Sequence, residues 1–187
     1  YTLWHTLSLH DALPISDAIE QDGGFTYETP IKSRPNIDRP QTRVDNRAAA
    51  RDEDEYVDGK RPTYGSMTYA GYMSYLYAQL ERDDPRVKAA REWIASNYTT
   101  QTHPGKGARS YYYYIYFFAR AMTINGEPII TAKDGQQHNW AEDLIDALVE
   151  RQGEDGAWSN EEDRFMEGNP NVATAYALFA LQLALGR

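Results

Sequence analysis

Asp163, Arg164 and Glu167 fall within NEEDRFMEGNP at residues 160–170, two acids and a guanidinium close enough to act together. Such a set can hold the polar head of a substrate or move a proton, with Asp163 and Glu167 as acid and base candidates. Glu167 also has a simpler role: Pro170 opens a helix just downstream, and a helix N-terminus favours negative charge. Trp158 stands a few residues upstream and joins Arg164 as a candidate for ligand contact. A second source of chemistry is the tyrosine run in SYYYYIYFFARAM, residues 110–122. Successive helical positions turn by about 100°, so one or two of Tyr111, Tyr112, Tyr113 and Tyr114 are expected to face the interior cavity of the helical arrangement. With Tyr69, Tyr72 and Tyr75 they could line a surface suited to cation–π contact or to an extended apolar ligand. Tyr72, Tyr112 and Tyr113 are the candidates taken from this set; packing between helices, with hydroxyls on linker backbone, is the competing role.

Other chemistry is excluded by composition. The chain has no cysteine, which removes disulfides, thiolate nucleophiles and every thiolate-bearing zinc site. The same absence fits cytoplasm and periplasm alike, so bacterial cytoplasm and export both stay open. RDEDEYVDGK at residues 51–60 invites a calcium-loop reading, but Tyr56 stands where a third oxygen ligand belongs and no Glu closes the loop. His103 and His138 have no companion at metal-ligand spacing, and neither metal nor cofactor is expected. A net charge of −9 without a Lys/Arg cluster argues against nucleic acid as a partner. No apolar run reaches the roughly 20 residues that span a bilayer.

The elements that must position these side chains are helical and of two kinds. SMTYAGYMSYLYAQL (66–80), the tyrosine-rich stretch 110–122 and NPNVATAYALFALQLAL (169–185) are apolar or aromatic around nearly their whole circumference, as helices buried on all sides would be. DDPRVKAAREWIASNY (83–98) instead carries one apolar face of Val87, Ala90, Ile94 and Tyr98, with Arg86, Lys88 and Glu92 opposite. NWAEDLIDALVERQ (139–152) likewise lines up Trp140, Leu144, Ile145 and Leu148. Asp84, Asn139 and Asn169 are the expected N-caps. The order buried, amphipathic, buried, amphipathic, buried predicts an all-α, double-walled arc or ring, with inner helices between an outer wall and a central cavity. Thr68 and Thr174 mark matching points in the first and third inner helices. Upstream, residues 28–63 read as a polar loop or insertion, and residues 1–16 resemble translated sequencing-adapter read-through rather than natural sequence, which would leave the true N-terminus missing.

Between the second amphipathic helix and the last buried one lies QGEDGAW, residues 152–158. Gln152, Asp155, Gly156 and Trp158 match the Q-x-x-D-G-x-W turn, the QW repeat signature of squalene-hopene cyclases and related terpenoid cyclases and prenyltransferases. Gln21, Asp22, Gly24 and Phe25, in QDGGF within residues 17–27, look like a second, degenerate copy. Gly156 permits a sharp turn, Asp155 can accept from free N–H groups there, Gln152 can bridge carbonyls left at its helix end, and Trp158 is an apolar plate. A structural staple is thus the simpler role for all four. The resemblance implies an α/α toroid over residues 64–187, a bacterial source, and a larger parent, since a closed ring needs more helix pairs than are visible. An arc left open would self-associate through its apolar edges.

The resemblance also implies activity on a polyisoprenoid or other extended apolar small molecule. The D-x-D-D acid motif of the cyclases is absent, and the prenyltransferase zinc site cannot be built without Cys. Two functions therefore stand side by side: a cyclase- or transferase-like enzyme, and a noncatalytic module that binds a ligand or protein partner.

Overall fold

The computed structural model describes residues 22–25 and 62–186, and these are all-α apart from one small hairpin. The leader at 1–16, Gln21 and nearly all of the polar stretch at 28–63 lie outside the described residues. The elements are α1 (Gly65–Tyr77), α2 (Pro85–Ser96), α3 (Tyr111–Asn125), β1 (Ile129–Thr131), β2 (Gln137–Asn139), α4 (Trp140–Arg151), a 3-10 turn at Arg164–Met166, and α5 (Pro170–Ala184). Helix α3 is central, packing against α1 on one side and α5 on the other. Helix α2 lies on α1, and α4 lies on α5 and α3.

Local chemistry explains most boundaries. Pro85 and Pro170 each open a helix behind a capping side chain: Asp84 Oδ1 accepts from Arg86 N–H at 2.9 Å and Asn169 Oδ1 from Asn171 N–H at 3.0 Å. Asn139 caps α4 in the same way through Ala141 N–H. Helix α1 stops at Tyr77, short of Leu80, because Gln79 turns left-handed at φ 57° and Leu80 N–H closes back on the Tyr75 carbonyl at 3.1 Å. Helix α2 ends at Ser96, so Tyr98 lies beyond it, though its ring still packs against the core.

Helices α2 and α4 each bury one stripe, Val87, Ala90, Trp93 and Ile94 on the first and Trp140, Leu144, Ala147 and Leu148 on the second. Helices α1 and α3 bury most of their circumference. Helix α5 departs from the expectation of burial on every side. Its Ala173, Ala177 and Ala180 are inaccessible, but Leu178 and Phe179 are 54% and 55% exposed. Among the described residues, nothing covers that flank.

The hairpin interrupts the helical alternation. Ile129, Ile130 and Thr131 pair antiparallel with Asn139, His138 and Gln137, around a turn in which Gly135 takes φ 86° and Asp134 Oδ1 accepts from Gln136 N–H. The β-branched run ahead of Asp134-Gly135 was the available sequence signal. Lys133 N–H ties the hairpin to the Ala95 carbonyl near the end of α2 at 2.9 Å.

Candidate functional site

The two turns that resemble QW motifs have the same bonding. Asp155 Oδ1 accepts from Ala157 N–H at 3.0 Å, Gly156 sits at φ 80°, and Trp158 N–H donates to Thr174 Oγ1 at 3.1 Å. In the upstream turn Asp22 Oδ1 accepts from Gly24 N–H at 3.0 Å, Gly23 sits at φ 80°, and Phe25 N–H donates to Thr68 Oγ1 at 3.0 Å. The residue equivalent to Gly156 is therefore Gly23, whereas Gly24 answers to a packing need: a Cβ there would lie 2.4 Å from Trp93 Nε1. Gln152 donates to the Gly156 carbonyl at 2.9 Å and so braces the turn, rather than the carbonyls at its own helix end. Trp158 is buried, its indole N–H donating to the Leu148 carbonyl at 2.8 Å. These bonds account for Asp22, Phe25, Asp155, Gly156 and Trp158 as structural residues, and Trp158 offers no surface to a ligand.

The acids near α5 separate into two environments. Glu167 is fully buried and reaches across to the N-terminus of α3, where Oε1 accepts from Tyr113 N–H at 2.8 Å and Oε2 accepts from Asn160 at 2.8 Å. It caps α3, not the helix that follows it in sequence. Burial raises its pKa above the ordinary carboxyl value, against the lowering effect of the Tyr113 and Asn160 bonds. Asp163 is exposed and accepts from Gly168 N–H at 2.9 Å. The Arg164 side chain lies outside the described residues. Glu167 and Asp163 thus do not face a common space as an acid–base pair.

His103 does for α1 what Glu167 does for α3. The ring is 1% exposed; Ser66 N–H donates to Nε2 at 3.0 Å, and Nδ1 lies 2.8 Å from the Arg109 carbonyl. An amide N–H can only meet a bare ring nitrogen and a carbonyl only an N–H, so the imidazole is neutral with its proton on Nδ1. Burial pushes its pKa down to about 4. The ring stacks on Tyr114 at 4.9 Å. His138 is not isolated either: its Nδ1 and the Tyr98 hydroxyl meet Asp143 Oδ2 at 2.9 and 2.8 Å, fastening β2 and the end of the α2 segment to α4.

The tyrosines divide into core and surface. Tyr69, Tyr75, Tyr111 and Tyr114 are buried, as are Tyr72 and Tyr112 of the candidate set. Tyr112 donates weakly to the Ser159 carbonyl at 3.3 Å, and Tyr72 donates to Asn125 Oδ1 at 2.7 Å. The two do not share one wall, as expected of them: Tyr112 is buried against Tyr111, whereas Tyr72 lines a groove beside the end of α3 and the hairpin. Tyr113 alone of the three reaches the surface. Its ring meets Phe117 at 4.7 Å, Tyr176 at 5.9 Å and Phe165 at 6.2 Å, and Tyr116 continues the sheet of rings to Tyr176 and Phe179. Arg120 Nη1 donates to the Tyr116 hydroxyl at 2.8 Å and closes one end. Phe165 and Met166, both exposed, stand beside this face on consecutive left-handed backbone at φ 57° and 66°. Such a conformation costs a bulky residue on the order of 1–3 kcal/mol and persists where the surroundings enforce it.

Among the described residues, no three His, Asp or Glu side chains converge on a metal position, and no helix is long and apolar enough to cross a membrane. Comparison with protein-family models, with curated proteins and with solved structures finds no match to this chain. Sequence reasoning missed the half-buried Tyr116, Phe117 and Tyr176 and the exposed Phe179, because an all-round apolar helix gives no sign of which flank its neighbours leave open.

Proposed function

We propose that the chain is a repeat module of the squalene-cyclase and prenyltransferase kind, its helices forming part of an α/α toroid, and that it binds an extended apolar small molecule of isoprenoid type across the aromatic face of α3 and α5. The observation that carries the ligand reading is the half-buried aromatic face of Tyr113, Tyr116, Phe117 and Tyr176, continued by the exposed Phe179, with Phe165 and Met166 held beside it on strained backbone. A contiguous run of half-buried rings edged by exposed Phe165, Met166 and Phe179 is the kind of patch that marks binding surfaces, and its flat faces match a branched polyene. The matching Asp22–Phe25 and Asp155–Trp158 turns support the repeat reading.

Binding without turnover is favoured over catalysis because the buried carboxyl of Glu167 is already bonded to α3 and Asp163 to a loop amide. Equilibrium dialysis of labelled farnesol against the chain tests the proposal. Retention that falls about tenfold in the Tyr116→Ser, Phe179→Ser double variant supports it; equal retention by that variant, or none by the parent, overturns it. Incubation with squalene separates the two readings, since a cyclic product would make the protein an enzyme.

A further inference from the structure

We infer that a groove on the other side of α3 from the aromatic face is a binding site for a small zwitterion with a short apolar side chain, of the class of free apolar α-amino acids. The groove has a volume of about 280 Å³ between α2, Tyr72 of α1, the end of α3 and the β hairpin. That is just below the roughly 300 Å³ at which drug-sized ligand pockets begin, and so suits a smaller ligand. One wall is the hairpin that breaks the helical alternation, contributing Ile129 and Ile130; Ile94 and Met122 face it, and Tyr72 lies in the floor. The hairpin is anchored at its rim by the Lys133–Ala95 backbone bond, so the wall is fixed before any ligand arrives.

Charges of both signs line the groove, from Arg91, Glu92 and Glu127. Arg91 Nη2 donates to Glu127 Oε2 at 2.9 Å, and Arg82 donates to the other oxygen of the same carboxylate. Two guanidiniums sharing one carboxylate leave one positive charge in excess. Arg91 keeps further N–H groups for a second carboxylate, in the forked geometry that suits one. Glu92, the next residue on α2, also lines the groove and forms no ion pair among the described residues. A lone anion would gain at Arg91 and lose at Glu92, and a lone cation the reverse. A ligand with both charges on neighbouring atoms gains at both, while its side chain lies on Ile94, Met122 and Ile130.

L-leucine is the probe, with N-acetyl-leucine lacking the ammonium and leucinol lacking the carboxylate. At millimolar concentration L-leucine raises Tm by about 3 °C, and neither analogue matches it. Glu92→Gln, at an exposed position outside the core, retains the fold and weakens leucine binding about tenfold by calorimetric titration; Arg91→Met does the same where it folds. No shift with L-leucine overturns the inference. So do equal shifts from all three compounds, which would mean apolar contact alone, and unchanged affinity in Glu92→Gln. The farnesol result bears on the other face only, so either proposal can fail without the other.

Discussion

The N-termini of α1 and α3 are held in the same way by unlike groups. In each case the cap arrives from the linker before the next central helix, 37 residues downstream for Ser66 and His103, 54 for Tyr113 and Glu167. At α1 the acceptor is a neutral imidazole nitrogen, and at α3 it is a carboxyl oxygen. A helix N-terminus asks only for an acceptor near its free N–H groups, so the task is open to either. What differs is the response to protons: a proton on His103 Nε2 destroys its acceptor, whereas a proton on Glu167 leaves an acceptor oxygen in place.

The largest test of this comparison removes the caps. His103→Leu leaves both the Ser66 N–H and the Arg109 carbonyl without partners in a buried site and should cost about 3–4 kcal/mol in urea unfolding. Glu167→Ala strands the Tyr113 N–H, while Asn160 keeps its bond to the Ala108 carbonyl, so about 2 kcal/mol is expected. Equal costs would mean that the ring's stacking on Tyr114 and its second bond contribute nothing.

Acid separates the two more sharply. The folded pKa of His103 lies at about 4, below the ordinary histidine value of about 6.5, so its contribution is complete above that value. It is lost as pH falls toward 4, on the order of 3 kcal/mol in total. Urea midpoints for His103→Gln, which keeps a neutral donor and acceptor, should be flatter across this window than those of the parent. Glu167 has the opposite sign. Its raised pKa gives stability that is full below the unfolded carboxyl value of about 4.3 and is lost as pH rises through the folded value. Glu167→Gln should therefore gain on the parent as pH rises from acid to neutral; a parallel pair of curves would show that the carboxyl is not strained by burial.

The smallest effect concerns the paired turns. Thr68→Val and Thr174→Val each remove one acceptor from a turn amide, of Phe25 and Trp158 respectively, and should each cost about 1 kcal/mol. Costs that differ severalfold would break the equivalence of the two turns.

Residues whose partners lie close in sequence were legible. Asp84, Asn139 and Asn169 cap through amides two positions away, and Asp155 closes its own turn, so local stereochemistry alone identified them. The one-faced patterns of α2 and α4 were legible for the same reason. That Tyr72 and Tyr112 are both buried, and in different surroundings, was not legible, because a helix apolar all round carries no sign of which flank meets solvent. Phe25 and Thr68 lie 43 residues apart, and only their likeness to Trp158 and Thr174 hinted at the bond.

By itself, then, the sequence determined that the described residues are mostly helical, where most of those helices begin, and that no thiol of theirs takes part in chemistry. Periodicity and capping act within a turn or two of the chain, and composition needs no coordinates at all. Tertiary structure decided that Glu167 serves α3, that His103 is neutral beneath α1, that Phe179 is left uncovered, and that Arg82, Arg91 and Glu127 meet beside a hairpin. Each of those depends on which distant segment arrives at a given face, and long-range packing selects that segment through the fit of the whole core.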